Sequence, residues 1–302
     1  MKEHLKIMSQ FDQLPLDVII MSPSHPKGMI QISHGMCEHK ERYEDFMKFM
    51  CQHGFLCLIH DHRGHGKSIK EKNDLGYFYE NGHIGIVEDV HQLTTWIKAQ
   101  HPDLPLYLFG HSMGSLVVRC YLKKYEKDID GLIVCGSPSY NSQVDLGLAF
   151  TRLISSIKGD HYRSKLIQKI GFDIFNKKFD KHTPNSWICS DTNVVDAYNK
   201  DPLCRFSFTV NGFYSLFMLM KETYSPQGYH INNQELPILF ISGQDDSCMK
   251  NEKLFYQSVL CLEKQGYQNI KSHLFSHMRH EILNEKNKKE VYQYIFKEIT
   301  SW

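Results

Sequence analysis

Short apolar runs bounded by Gly, Pro, Asp or Ser recur along this chain: LDVIIM (16–21), MIQIS (29–33), FLCLI (55–59), LYLF (106–109), GLIVC (131–135), ILFIS (238–242) and, more weakly, IKSHLF (270–275). Runs this short and this uniformly apolar read as strands buried on both faces. Between them lie stretches with helical spacing, including ERYEDFMKFMCQHG, residues 84–100, SMGSLVVRCYLKKYEK and the C-terminal EILNEKNKKEVYQYIFKEI. Strand alternating with helix is the pattern of an α/β fold, with a mostly parallel sheet of about eight strands covered by helices on both faces. The rhythm breaks once, over 139–226, where a single crossover helix does not fill the interval. We therefore expect a core of 1–138 and 227–302 with a helical cap, or lid, inserted at 139–226. Within that insert Leu146, Leu148, Phe150, Leu153, Ile154 and Ile157 recur at helical spacing, and Phe206, Phe208, Phe213, Tyr214, Leu216 and Phe217 form a second apolar cluster. Most are expected to pack the insert's own core, and a few to line a site for an acyl chain.

Composition removes several function classes. The 35 basic and 34 acidic side chains nearly cancel, with no Lys/Arg block to track phosphates, so nucleic acid is not an expected partner. The first residues scatter charges at Lys2, Glu3, His4 and Lys6 instead of forming the apolar run of a secretory signal, and no run approaches a membrane span. A cytoplasmic location is the expectation. Nine cysteines without a CxxC pair read as reduced, mostly buried thiols.

The sharpest local signal is Gly110-His111-Ser112-Met113-Gly114, between the strand-like LYLF and the helical SLVVRCYLKKY. Glycines flank the serine of such a turn because the backbone segments approach too closely for a Cβ, and the following helix N-terminus favours negative charge beside Ser112. A serine hydroxyl needs a base to take its proton and a carboxylate to orient that base. Asp246, just past ILFIS in SGQDDS, and His280, after the last strand and expected to open the final helix, follow in the order Ser, Asp, His. Asp245 and His277 are the neighbouring alternatives. A tetrahedral intermediate also needs oxyanion donors. Met113 N–H is one, and Met36 N–H, in the loop His34-Gly35-Met36-Cys37-Glu38-His39 after MIQIS, is the other.

Together these segments resemble the monoglyceride lipase and bacterial lysophospholipase-like branch of the α/β-hydrolases, the serine aminopeptidase S33 type. HGMCEHKERY is similar to that branch's HGxxEHxxRY, DHRGHGKS (61–68) to its DxRGHGxS turn, GHSMGS to its GHSMGG elbow, and RHEILNE to its final His-Glu stretch. Asp201-Pro202-Leu203-Cys204 with Phe206 and Phe208 is similar to a DPLCGFxF pattern of bacterial members, with Arg205 in place of the Gly. The likeness covers most of the core and loosens in the insert. It implies an α/β-hydrolase fold and cleavage of a small-molecule ester carrying an acyl chain, with no metal and no organic cofactor. It also implies that Glu38 and Arg42 hold the oxyanion loop and border a polar pocket, supported by His34, Gly35 and His111. The alternative for Glu38 and Arg42 is a helix-surface ion pair. Cys248, two residues past Asp246, reads as a buried thiol or a modulator of activity.

Three other readings stand beside this one. His60-Asp61-His62-Arg63-Gly64-His65 approximates the HxHxDH of metallohydrolases, but Gly64 replaces its aspartate. A ligand-binding protein on the same fold would tolerate a decayed triad, and here no member is absent. Within enzymes, the elbow serves carboxylesterases, lipases, amidases and proline-type aminopeptidases alike; the aromatic and aliphatic insert favours a monoacylglycerol or lysophospholipid, with transient contact of the cap with a membrane surface.

Overall fold

The structure is a computed structural model that describes residues 1–171, 173–180 and 182–302. In chain order its strands and α-helices are β1 (Lys2–Met8), β2 (Pro15–Met21), β3 (Gly28–Ser33), α1 (Glu44–Gln52), β4 (Phe55–His60), α2 (Gly82–Gln100), β5 (Leu106–His111), α3 (Met113–Tyr125) and β6 (Gly131–Cys135). After these come α4 (Val144–Lys158), α5 (Lys165–Gly171), α6 (Thr192–Lys200), α7 (Val210–Tyr224), β7 (Ile238–Gly243), α8 (Glu252–Glu263), β8 (Ile270–Phe275) and α9 (Lys288–Ser301). The strands form one sheet in the order β1-β2-β4-β3-β5-β6-β7-β8. From β4 onward every pairing is parallel, whereas β1–β2 and β2–β4 are antiparallel. This is the α/β-hydrolase architecture.

Alternation within each strand builds the core. Leu56, Leu58, Leu106, Leu108, Leu132, Val134, Ile238 and Phe240 face α2, α3 and α8. Their immediate neighbours Cys57, Ile59, Tyr107, Phe109, Ile133, Cys135, Leu239 and Ile241 face α1 and α9. A strand apolar at every position is therefore covered on both sides, each aliphatic side chain contributing about 1.5–3 kcal/mol relative to exposure.

Three expectations need correction. The strand β1 has no counterpart among the apolar runs, because only Leu5 and Ile7 turn inward, half-buried, with the exposed Lys6 between them and exposed polar residues before them. The final helix starts at Lys288, after a short turn at Ile282–Asn284, so His280 does not open it. In the insert, α4 packs on α7, and α7 in turn packs on α3 and α2. Phe208, Phe213 and Leu216 thereby join the main core, and among the described residues the insert's separate buried cluster is Ile188, Cys189, Val195, Tyr198 and Cys204. Leu146, Phe150, Leu153 and Ile157 are not buried; they stand 72%, 37%, 57% and 68% exposed along one face of α4.

Charge is also built into the interior. Lys40, fully buried, places its Nζ 2.6 Å from Asp17 of β2 and 2.7 Å from the fully buried Asp61 that follows β4. Asp61 also accepts the Lys40 and Lys67 backbone N–H groups at 2.9 and 2.8 Å. Breaking such a pair leaves a buried charge unpaired. Lys40→Met is expected to lower unfolding free energy by about 3–5 kcal/mol, read from the urea midpoint; a midpoint equal to wild type would refute the role given to this lysine.

Candidate functional site

The parallel strands end at one edge, and there the elbow is held by close backbone approach. Ser112 has φ 51° and ψ −118°, a strained conformation for a residue with a side chain. A Cβ on Gly114 would lie 2.0 Å from the Ser33 carbonyl oxygen, so β3 and the start of α3 meet only because this position is glycine. Ser112 N–H donates to Cys135 O at the end of β6 (2.9 Å), fixing the turn from its other side.

The loop after β3 lies directly beside this serine. A Cβ on Gly35 would come 3.0 Å from Ser112 Cβ, 3.2 Å from His111 Nδ1 and 2.6 Å from Glu38 Oε1. Among the described residues, the backbone N–H groups of Met36 and Met113 donate to nothing. His62 N–H donates to His34 Nε2 (2.9 Å), so His34 carries its proton on Nδ1 and donates it to Gly35 O (2.8 Å).

Glu38 organises the polar side of the loop, and it is 2% exposed rather than on a helix surface. Its Oε1 accepts from Gly35 N–H at 2.5 Å, Tyr43 OH at 2.9 Å and His111 Nδ1 at 3.2 Å. Its Oε2 accepts from Arg42 at 2.9 Å, and Arg42 also donates bidentately to Glu281 at 2.7 and 2.6 Å. Burial alone would raise the Glu38 pKa, but His111 and Arg42 outweigh it and hold the carboxyl well below its usual range. Likewise burial disfavours charge on His111, and the Glu38 hydrogen bond and charge reverse that effect, so its pKa is raised. With His111 Nε2 facing His280 O at 3.2 Å, both ring nitrogens meet acceptors, as an imidazolium requires.

Of the two candidate acids, Asp246 is buried and Asp245 exposed; of the two histidines, His280 is buried and His277 exposed. His280 Nδ1 lies 3.0 Å from both oxygens of Asp246. Asp246 is fixed by Ser242 Oγ–H (2.8 Å) and Cys248 N–H (2.7 Å). A Cβ on Gly136, the residue after Cys135, would sit 3.3 Å from both His280 Cε1 and His111 Nε2, which puts His280 beside the elbow. The Ser112 hydroxyl makes no hydrogen bond with any described residue, His280 included. Cys248 is buried, and burial first and Asp246 second push its pKa well above normal, which disfavours a reactive thiolate. All nine cysteines are free.

Four contributors carry little or no signal of their own: Tyr43 and Glu281, which lie inside the HGxxEHxxRY and RHE segments and could have been found there, and Ser242 and Trp187, which have no spacing signal, the Trp187 ring centroid lying 4.8 Å from that of His280. Among the described residues two groups bring three metal-ligating atoms within 4.8 Å: His39, Asp201 and Cys204, and Asp246, Cys248 and His280. In the first, His39 already bridges Glu41 (2.7 Å) and Asp201 (3.0 Å) by hydrogen bonds. His60, His62 and His65 belong to neither group. With His34 they form a fully buried set of rings, His34–His62 at 4.4 Å and His60–His62 at 4.7 Å between centroids. Among the described residues no helix is long and apolar enough to cross a membrane.

That histidine set makes the fold acid-sensitive. Desolvation holds His34, His60 and His65 down to about 3, and lowers His62 well below its normal value. A depressed histidine contributes stability that is complete above its unfolded value of 6.5 and is lost as pH falls toward the folded value, because only the unfolded chain takes the proton. His39 and His111 have raised values and act in the opposite sense, their contribution being lost as pH rises. Stability is therefore expected to fall between pH 6.5 and about 4 by up to about 1.4 kcal/mol per unit for each of the four. Urea midpoints across that window test this, and His60→Phe should make the dependence shallower. A flat profile would contradict it.

Comparison with known proteins places the chain in a family. A family model described as serine aminopeptidase, S33, matches residues 24–287. A monoglyceride lipase homolog of monkeypox virus is 28% identical over 285 residues, 92% of this chain and 90% of its own. A monoacylglycerol lipase of Mycolicibacterium smegmatis is 24% identical over 277 residues, 92% and 88% of the two chains. The crystal structure of a highly thermostable carboxyl esterase from Bacillus coagulans, in complex with glycerol, superposes with a TM-score of 0.90 at 27% identity, covering 99% of this chain and 98% of that one. The chain belongs to the serine aminopeptidase S33 family of α/β-hydrolases.

Proposed function

We propose that this S33-family ester hydrolase cleaves the ester of a monoacylglycerol or related single-chain lipid through an acyl-enzyme on Ser112. The observation that carries the mechanism is the buried His280–Asp246 pair, at 3.0 Å, at the sheet edge where the strained Ser112 elbow ends β5. Asp246 fixes the Nδ1–H tautomer and leaves the Nε2 lone pair to accept the Ser112 proton; on this reading the serine hydroxyl turns toward His280 when substrate binds. As Ser112 Oγ bonds to the carbonyl carbon, the charge that moves to oxygen meets the unengaged Met36 and Met113 amides. His280 then gives its proton to the leaving alcohol, and water repeats the cycle to release the acid.

Several observations support a lipid. The relatives include proteins named for monoacylglycerol, and the Bacillus coagulans esterase was crystallised with glycerol. The charges of Glu38 and Glu281 are matched by Arg42 and His111 together, which leaves them poor anchors for a substrate ammonium and argues against an aminopeptidase. The exposed row Leu146, Phe150, Leu153 and Ile157 gives the inserted helices an apolar face suited to a cap that touches a lipid surface.

A fluorophosphonate probe should label the wild-type protein and not Ser112→Ala. Ser112→Ala and His280→Ala should each lower kcat by roughly 10⁴-fold or more with the circular dichroism spectrum unchanged, while Asp245→Asn remains near wild type. Shortening p-nitrophenyl esters from eight carbons to two should reduce kcat/KM. A dead Asp245→Asn beside an active Asp246→Asn would move the acid's role from Asp246 to Asp245, and a flat chain-length profile would remove the lipid.

A further inference from the structure

The loop carrying His280 is gripped by one stretch of the inserted segment, between α5 and α6. Glu281 N–H donates to Ile188 O at 2.7 Å. The Arg279 guanidinium donates to Ser186 O and, at 3.0 Å, to Cys189 O. Glu285 accepts from Ser190 N–H (2.9 Å), from the Ser190 hydroxyl and from Arg279 N–H (2.9 Å). These contacts flank His280 on both sides in the chain. Between them the Trp187 indole lies against the imidazole, with centroids 4.8 Å apart and planes at 38°. Phe175 backs the indole at 5.0 Å, and its carbonyl accepts the hydroxyl of Ser247, the neighbour of Asp246, at 2.8 Å. The inserted segment thus touches the loops of both the acid and the base.

We propose that residues 186–190 are a positioning element for His280 and that the Trp187 ring face stabilises the imidazolium formed during acylation; this rests on the acyl-enzyme reading above. In that step the Ser112 O–H pair becomes the bond to the carbonyl carbon, the carbonyl π pair moves to oxygen, and the proton goes to His280 Nε2. Positive charge then resides on a ring whose edge meets Asp246 and whose face meets Trp187. The negative face of an aromatic ring attracts such a cation, and it does so more strongly where water is excluded. A ring that merely shielded His280 from water would act in the opposite direction, disfavouring the charged form. The two roles therefore shift the pH profile oppositely.

The test measures fluorophosphonate labelling rate and p-nitrophenyl ester kcat/KM against pH for wild type, Trp187→Leu and Trp187→Phe. Trp187→Leu is expected to react about 3- to 10-fold more slowly, with the midpoint of its acid limb moved down by about half a unit; Trp187→Phe should recover most of the loss. A Trp187→Leu rate within twofold of wild type, or an acid limb that is unmoved or moved upward, would overturn the proposal. Should Trp187→Leu fail to fold, Ser190→Ala removes only the hydroxyl tie to Glu285. It is expected to lower kcat several-fold at unchanged KM, and an unchanged kcat would equally overturn the positioning role. Wild type that fails to label at Ser112 would bring down the acyl-enzyme reading and this proposal together. Labelled wild type with an unaffected Trp187→Leu removes only the latter.

Discussion

The buried carboxylate of Glu38 is the interaction on which the site's geometry depends. It joins the loop after β3, through Gly35 N–H, to the residue before the elbow serine, through His111, and to the His280 loop, through Arg42 and Glu281. Three chain segments that are remote in sequence are brought into register by one side chain. A lone buried carboxylate would be strongly unfavourable, and here two cationic partners and a phenol hydroxyl compensate it. The charge is useful because of that: any displacement of one segment leaves the others electrostatically unmatched, which makes the arrangement stiff around Ser112, as the oxyanion donors proposed above would require.

The sheet supplies what the carboxylate then aligns. Parallel strands put their C-terminal ends on one edge, so the loops after β3, β5, β7 and β8 arrive together without long excursions. The two-sided burial of each strand fixes which residue ends it facing which layer, since a slip of one position would exchange the two cores. The missing side chain at Gly114 lets the helix start close under the Ser33 carbonyl. Fold and site are thus specified by the same alternation, and the inserted helices add a second layer of contact through α7 and through residues 186–190.

Much of this was legible in the sequence. Strands whose apolar residues occupy both faces announce themselves as continuous runs, and the glycine-flanked Ser112 marks its own turn. The edge strand β1 escaped because its inward residues, Leu5 and Ile7, are only two, half-buried, with Lys6 between them and Lys2, Glu3 and His4 before them. Asp246 and Asp245 are equivalent in composition and spacing, and burial, the donors from Ser242 and Cys248 and the contact with His280 separate them. Helical spacing in α4 marked an apolar stripe correctly but could not say which way it points, because periodicity is indifferent to whether a neighbour covers the face. Trp187 was invisible for a related reason: an aromatic residue in an irregular segment has no period from which its contact with a distant histidine could be inferred.

The same polar edge strand that hid from pattern reading has a bearing on how the molecule coexists with other copies of itself. An open sheet leaves rows of backbone donors and acceptors at its two margins, where a foreign strand could add. The margin formed by β1 presents Lys2, Glu3, His4 and Lys6, and the margin formed by β8 presents Lys271, paired with Glu298. Adding a strand to either would crowd or desolvate these charges, so the sheet's growth into larger β-aggregates is disfavoured at both ends by the residues that made those ends hardest to recognise.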